Sequence, residues 1–331
     1  MARPIVPSEM FLSVSGNTFP VAMLRAREAE VETKKLFNGI ASIGQLNWNT
    51  TKTEALWKED TSPSRLQKPI RHLNLDSYKL HLEGAIVVYE HPQDNIPDPT
   101  YKKSLYKVMY DPVRDDEGGP SLASVLVYKG YADKHWNSGI QDGIVAEWIG
   151  RPNTVREAHE IALKLACYYN ALVLHENNLP GFKTYCEDQK QLHRLMIEPE
   201  KAVRKVVQSL SSKKLYGVDM NPPRLHTHAE QLIRQWLLEE WKTLEDGSKK
   251  YNIDKITSPR LLKELSGYEP DKKTKFDHIS SMKLLVLWLA NEEHYHLHQE
   301  NENKNRYEKI NNFSKSLIKT YIKGARNPWF G

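Results

Sequence analysis

SLYKVMYDPVRDDEGGPSLASVLVYKG, residues 104–130, is the stretch on which the fold turns. An apolar run ends at Asp111, an acidic cluster and Gly118-Gly119-Pro120 follow, and a second apolar run returns. Short apolar runs bounded by glycine and proline read as strands, and the Gly-Gly-Pro step reads as their reversal. The pattern predicts strands over 105–110 and 121–128, with Asp111 at or just past the end of a central one. A carboxylate there is held rigidly and still meets solvent, which suits metal-assisted chemistry. An Asp before Pro is also an ordinary turn residue, so Asp111 alone specifies nothing.

Working outward, a third strand is predicted over 143–149, and the short connections favour an antiparallel meander. Thr154-Val155-Arg156-Glu157 has the form of a capping box. It opens the helix EAHEIALKLACYYN, with Ile161, Leu165 and Tyr168 or Tyr169 on one face. ALVL, residues 171–174, follows at once as a strand. A helix leading straight into a strand after a meander implies a crossover that lays this strand parallel to the first. Glu176 then ends up beside Asp111. Two carboxylates sharing a site repel unless a cation lies between them. Mg²⁺ or Mn²⁺, which prefer oxygen ligands, would turn that repulsion into binding. The bland alternative is a strand-end Glu176 hydrogen-bonded to the glycine turn.

Further along, Thr227-His228-Ala229-Glu230 reads as another capping box, opening a helix with Ile233, Leu237 and Leu244 inward. YNIDKI, 251–256, reads as an edge strand, and Ser258-Pro259 as a helix start. Asp277, in KFDHISSM, is a natural cap for an apolar helix whose Met282, Leu285, Val286 and Leu289 face the sheet. Capping alone would explain it. Yet a strand-end Asp, a strand-end Glu and a late Asp would converge at one sheet edge, where they could hold two divalent ions. His226 with His228, and His294, His296 and His298, read as ordinary polar histidines, because their spacing makes poor ligand sets on a helix.

Residues 1–103 read as a linker and β-rich accessory region packed on the core, with a helix over 20–37 and a strand over 84–89. Asp94 and Asp98 there read as loop acids. Residues 104–299 form the predicted core, and 300–331 a basic tail. With Lys201, Arg204, Lys205, Lys213 and Lys214, that tail is a candidate for phosphate contacts. A purely solvated tail, or docking on a protein through Trp329 and Phe330, fits equally well. The charge balance, 47 basic against 42 acidic residues, is only mildly suited to an anionic partner. Two distant cysteines, Cys167 and Cys186, argue against a disulfide framework or a zinc site and for a reducing compartment. No run of 18 apolar residues and no signal-like N-terminus is present, so the expectation is a soluble intracellular protein away from membranes.

Several of these stretches carry a family likeness. VMYDP (108–112), SLASVLVYKG (121–130), IVAEWIGRPNTVREAHEIALKLACYYNALVLHENNLPG (144–181), ITSPRLLKELSGYEP (256–270) and KFDHISSMKLLVLWL (275–289) are the matching segments. Together they resemble the C-terminal nuclease region of the large terminase subunit of tailed double-stranded-DNA bacteriophages. VPSEMFLSVSGNTFP (6–20) resembles the piece that joins that family's motor to its nuclease.

The resemblance implies an α/β, RNase H/RuvC-like fold with a mixed five-stranded central sheet flanked by helices. It also implies an endonuclease that cuts viral DNA during packaging with two Mg²⁺ or Mn²⁺ ions. The family's acids carry over to Asp111, Glu176 and Asp277, with Asp115 or Asp116 as an auxiliary metal contact. The implied partners are double-stranded DNA and, in the packaging machine, an ATPase motor, portal and small terminase subunit, in the host cytoplasm. One departure is plain: no GxxxxGK[ST] loop occurs, so this chain itself should not hydrolyse ATP. A RuvC-like junction resolvase or transposase core, and a non-catalytic DNA-binding or capsid-docking module, are the competing readings.

Overall fold

The computed structural model describes residues 16–60, 84–93, 105–113, 121–130, 139–152, 154–178, 181–207, 215–270 and 276–291. Asp94, Asp98, Asp115, Asp116, the 118–120 turn, Lys213, Lys214, His294, His296, His298 and the basic tail lie outside the described residues. The chain forms two compact units, Met1–Leu287 and Trp288–Gly331, and the sheet lies in the first.

Two short helices, α1 (Val21–Thr33) and α2 (Leu36–Ile40), come first; Lys35, at φ 50°, breaks what the sequence suggests as one helix. Strands β1 (Ser42–Trp48), β2 (Ala55–Glu59), β3 (Ile86–Val88), β4 (Tyr106–Asp111), β5 (Ala123–Lys129) and β6 (Gly143–Gly150) follow. Next are α3 (Val155–Tyr168), β7 (Leu172–His175), α4 (Phe182–Asp188), α5 (Glu200–Val207) and α6 (Pro223–Leu238). A hairpin of β8 (Glu240–Thr243) and β9 (Lys249–Tyr251) leads to α7 (Pro259–Ser266), and α8 spans 277–291.

Among the described residues the central sheet has seven strands, in the order β2-β1-β3-β6-β5-β4-β7. Only β4 and β7 pair in parallel; every other neighbouring pair is antiparallel. A mixed sheet flanked by helices broadly resembles the RNase H/RuvC superfamily architecture. The count corrects the five strands expected from sequence. Ile86, Val87 and Val88 are all buried, and β3 completes the edge of β6 through Val87↔Glu147 and Val88↔Ala146. The strands β1 to β3 therefore continue the central sheet.

β5 and β6 are buried at every position, which is why ASVLVYK and GIVAEWIG lack a clean alternation. Strand residues still alternate between faces. Val125, Val127 and Tyr110 face α3, whose Ala158, Ala162 and Ala166 pack in the same core. Met109, Asp111, Ser124, Leu126 and Glu147 share the opposite face by the register Asp111↔Ser124, Met109↔Leu126 and Leu126↔Glu147. On that face Ser281 Oγ of α8 donates to the Ser124 carbonyl at 2.9 Å. Helix α3 is rotated slightly from expectation, so that its alanines meet the sheet and Ile161 and Tyr168 are only half-buried. Its Thr154 cap forms as expected, accepting from the Glu157 N–H at 3.3 Å.

Three downstream expectations are corrected. Helix α6 begins at Pro223 rather than at the Thr227 box. Proline there loses only an N–H the helix does not need, so it sets the start. Thr227 lies inside the helix, donating back to the Pro223 carbonyl at 3.4 Å, and Glu230 is buried. Leu244 lies beyond the helix in the β8–β9 hairpin, and YNIDKI gives the end of β9 and a 3₁₀ turn, Asn252–Lys255.

Residues 215–220 meet the C-terminal end of β7, whose free side Leu195 meets nearer its start. Val218 N–H donates to the His175 carbonyl at 2.8 Å, and Asn177 N–H to Val218 O at 2.9 Å. Gly217 allows this approach: its φ is +78°, and a Cβ there would stand 2.5 Å from the His175 carbonyl oxygen. Gly217→Ala should destabilise the chain by about 1–3 kcal/mol, read as a lower urea midpoint. An unchanged midpoint would show that this segment is not pinned.

Candidate functional site

The parallel pairing of β4 with β7 sets the site. Lys107↔Leu172, Val108↔Val173, Met109↔Leu174 and Tyr110↔His175 run in register, and the Glu176 N–H donates to the Tyr110 carbonyl at 3.0 Å. One step further along both chains are Asp111 and Glu176. Tyr110 and His175 turn to the α3 side, where the Tyr110 hydroxyl meets His159 Nδ1 at 2.7 Å and His175 packs edge-on against Phe182. By alternation, Asp111 and Glu176 turn to the α8 side. Both are half-buried, at the point where the strands leave the core.

Asp277 arrives from the other direction. It stands in the first turn of α8, 3% exposed, and its Oδ1 accepts from Ser121 Oγ at 3.2 Å. Ser280, three residues on, lies near enough to the Asp111 carboxyl to oppose the rise in its pKa. The structure thus gathers Asp111, Glu176 and Asp277 into one acidic neighbourhood. Asp111 is its centre: it hydrogen-bonds Glu176 and feels the charge of both other acids.

The electrostatics follow from that crowding. Burial first, then the charges of Glu176 and Asp277, push the Asp111 carboxyl well above the usual carboxylate range. Glu176 is pushed up to about 7, chiefly by burial, with Asp219 adding to the rise and the Asp111 hydrogen bond and Lys283 opposing it. Both carboxyls are thus raised together, and the pair resists carrying two negative charges at once. Protonation is how buried like charges coexist without a cation.

Other side chains tune this arrangement. Asn178 Nδ2 donates to Glu176 Oε1 at 2.5 Å, while its Oδ1 accepts from the Met220 N–H at 2.7 Å. Lys283, nearly buried, donates to Glu230 Oε1 at 3.0 Å and Tyr268 Oη at 3.1 Å, and its charge reaches Glu176. Ser121, Asn178, Asp219, Ser280 and Lys283 are absent from the sequence-based site. Ser280 had a readable signal, three residues after Asp277 on a helix, and Lys283 had none. Asp219 had none, because the segment that carries it touches β7 through a single bridge, Glu176↔Val218.

Among the described residues, no group of three or more His, Cys, Asp or Glu side chains is placed to hold a metal ion as it stands. Here Asp111 and Glu176 are turned to each other and Asp277 to Ser121. The donor chemistry nevertheless fits a hard divalent cation: clustered carboxylate oxygens, disfavoured as bare anions by burial and mutual charge. Asp115 and Asp116 lie outside the described residues. His226, read from sequence as an ordinary polar histidine, meets Lys283 Nζ at 3.4 Å. Cys167 and Cys186 are free thiols, and no described helix is long and apolar enough to cross a membrane.

Compared with protein-family models, curated proteins and solved structures, the chain has no match.

The raised Glu176 fixes a pH dependence. A carboxyl with a folded pKa near 7 and an ordinary value of 4.5 stabilises the fold fully below 4.5 and loses that contribution as pH rises through 7. Without added metal, the wild-type melting temperature should fall between pH 4.5 and 7, and Glu176→Gln should flatten that fall. Superimposable pH profiles for the two would contradict the raised Glu176 carboxyl.

Proposed function

We propose that this chain is a divalent-metal-dependent DNA endonuclease that hydrolyses phosphodiester bonds at Asp111, Glu176 and Asp277. The observation that carries the reading is the meeting of two parallel strand ends and one helix start, each contributing an acid, on one face of a mixed sheet. Two Mg²⁺ or Mn²⁺ ions, when bound, would supply an activated water and neutralise the charge that builds on phosphate.

The protein's own residues do the rest. Asp111, which feels the charge of both other acids, would hold the ions together with Glu176 and Asp277 once deprotonated. Asn178 holds one carboxylate oxygen of Glu176 at the site. Lys283 offsets part of the negative charge from behind Glu176 without reaching solvent. The substrate and setting are assigned by the likeness of the motif stretches to large terminase subunits. On that ground the substrate is double-stranded viral DNA cut during packaging, with a motor, portal and small subunit as partners. Contacts to the DNA backbone would position the duplex without reading its sequence.

Incubation with supercoiled plasmid and Mn²⁺ tests this. The wild type should nick and linearise the plasmid, and Asp111→Asn, Glu176→Gln and Asp277→Asn should each abolish cleavage while retaining the wild-type circular dichroism. Undiminished cleavage by folded Asp111→Asn would overturn the site. A strong preference for four-way junctions over linear duplex would favour a resolvase and remove the packaging assignment.

A further inference from the structure

Beneath the acids lies a second polar grouping that the proposed chemistry does not use. Ser124 on β5, Glu147 on β6 and His278 on α8 each have no measurable exposure. Ser124 Oγ meets His278 Nδ1 at 2.8 Å, and His278 Nε2 faces Glu147 Oε2 at 3.6 Å. Arg260's charge and the Ser258 and Tyr89 hydroxyls act on Glu147 from its other side. The His278 N–H donates to Glu264 Oε2 at 3.0 Å, which satisfies one of the orphan donors of the first turn of α8. Serine, histidine and acid in this order form the chain of a nucleophilic site. No substrate reaches a serine at 0% exposure, so nucleophilic catalysis is ruled out. Buried polar groups are costly compared with apolar packing, so their use must be sought in what they hold.

What they hold is close by. Ser124 is the residue directly opposite Asp111 in the β4–β5 ladder, and His278 is the residue after Asp277. The His278–Ser124 bond therefore ties β5 to the turn that carries the third acid, while the 3.6 Å approach to Glu147 is too long for a hydrogen bond. Ser281 Oγ to Ser124 O, at 2.9 Å, gives a second point of attachment on the same residue. Two attachments on Ser124 and one on Glu264 fix both the height and the rotation of the turn.

We propose that His278 is a positioning residue for the acidic site, hydrogen-bonded to Ser124 so that the α8 turn carrying Asp277 is fixed on the strand residue opposite Asp111. The inference rests on the metal-site reading of the three acids. A pre-set Asp277 lets a cation bind without first ordering α8. Partners one step behind metal ligands are commonly worth 10- to 100-fold in affinity.

Calorimetric titration of the whole chain with Mn²⁺ tests it. His278→Ala should weaken Mn²⁺ binding by about 10- to 100-fold. His278→Asn, which puts an amide near the position of Nδ1 and so keeps the Ser124 contact, should recover much of the loss. Leu165→Ala, a cavity in the α3 core far from His278, should lower the melting temperature and leave Mn²⁺ affinity unchanged. Wild-type affinity in His278→Ala would overturn the proposal while leaving the metal site intact. If wild type itself takes up no Mn²⁺, the metal reading fails first and this inference with it. Should His278→Ala not fold, Ser124→Ala removes a single hydroxyl and takes its place: weaker binding supports the proposal and unchanged binding refutes it.

Discussion

The mutual repulsion of Asp111 and Glu176 is the constraint around which this fold is arranged. Unit charges a few ångströms apart in a protein interior interact with several kcal/mol even at an intermediate effective dielectric. Strand pairing leaves them no means of separating, because Tyr110↔His175 and the Glu176 N–H to Tyr110 carbonyl bond fix both backbones one residue away. One relief is protonation, toward which burial and mutual charge push both carboxyls. A cation in the same place would give the same relief with greater coordination, and this equivalence makes the pair a metal-site candidate instead of a structural oddity.

The two faces of the sheet divide the labour. On the α3 side, alanines, valines and aromatic rings pack into a continuous apolar core, and Tyr110 and His159 satisfy each other within it. On the α8 side the contacts near the acids are polar: Ser124 with His278, Ser281 with Ser124, and Lys283 with Glu230 and Tyr268. Apolar contact resists separation but tolerates sliding; hydrogen bonds between buried groups fix register. A helix whose first turn must place a carboxylate against another carboxylate needs the second kind of contact. Farther along α8, Met282, Leu284, Leu285 and Val286 return to apolar burial.

Much of this was legible in the residues. The helix running straight into ALVL implied a parallel return of β7 beside β4, because an antiparallel neighbour would need only a tight turn. The order Asp111, Glu176, Asp277 followed from that topology. The extra strands were harder to read. IVV in β3 is only three residues long, and its partner β6 is separated from it by more than fifty positions, so no local pattern announces the pairing. The N-terminal stretch read only as a linker. Yet Asn17 caps α7 by donating to the Leu265 carbonyl at 2.9 Å, and Phe19 stacks on Tyr268 at 5.0 Å. Such contacts, nearly 250 residues apart, leave no trace in periodicity. The Thr227 box misled because a matching four-residue pattern lost to two prolines just upstream, whose fixed φ starts α6 earlier. His278 was hidden by its neighbour: beside a cap-like aspartate, it read as part of a helix start.

The central claim is that the three carboxylates close around a divalent cation. Anomalous diffraction from a crystal of the whole chain soaked in Mn²⁺ tests it most directly. The account predicts an anomalous peak bounded by Asp111, Glu176 and Asp277, with the Asp111 and Glu176 carboxyls turned from each other toward the ion. A peak elsewhere, or an Asp111–Glu176 hydrogen bond that persists at saturating Mn²⁺, would contradict it.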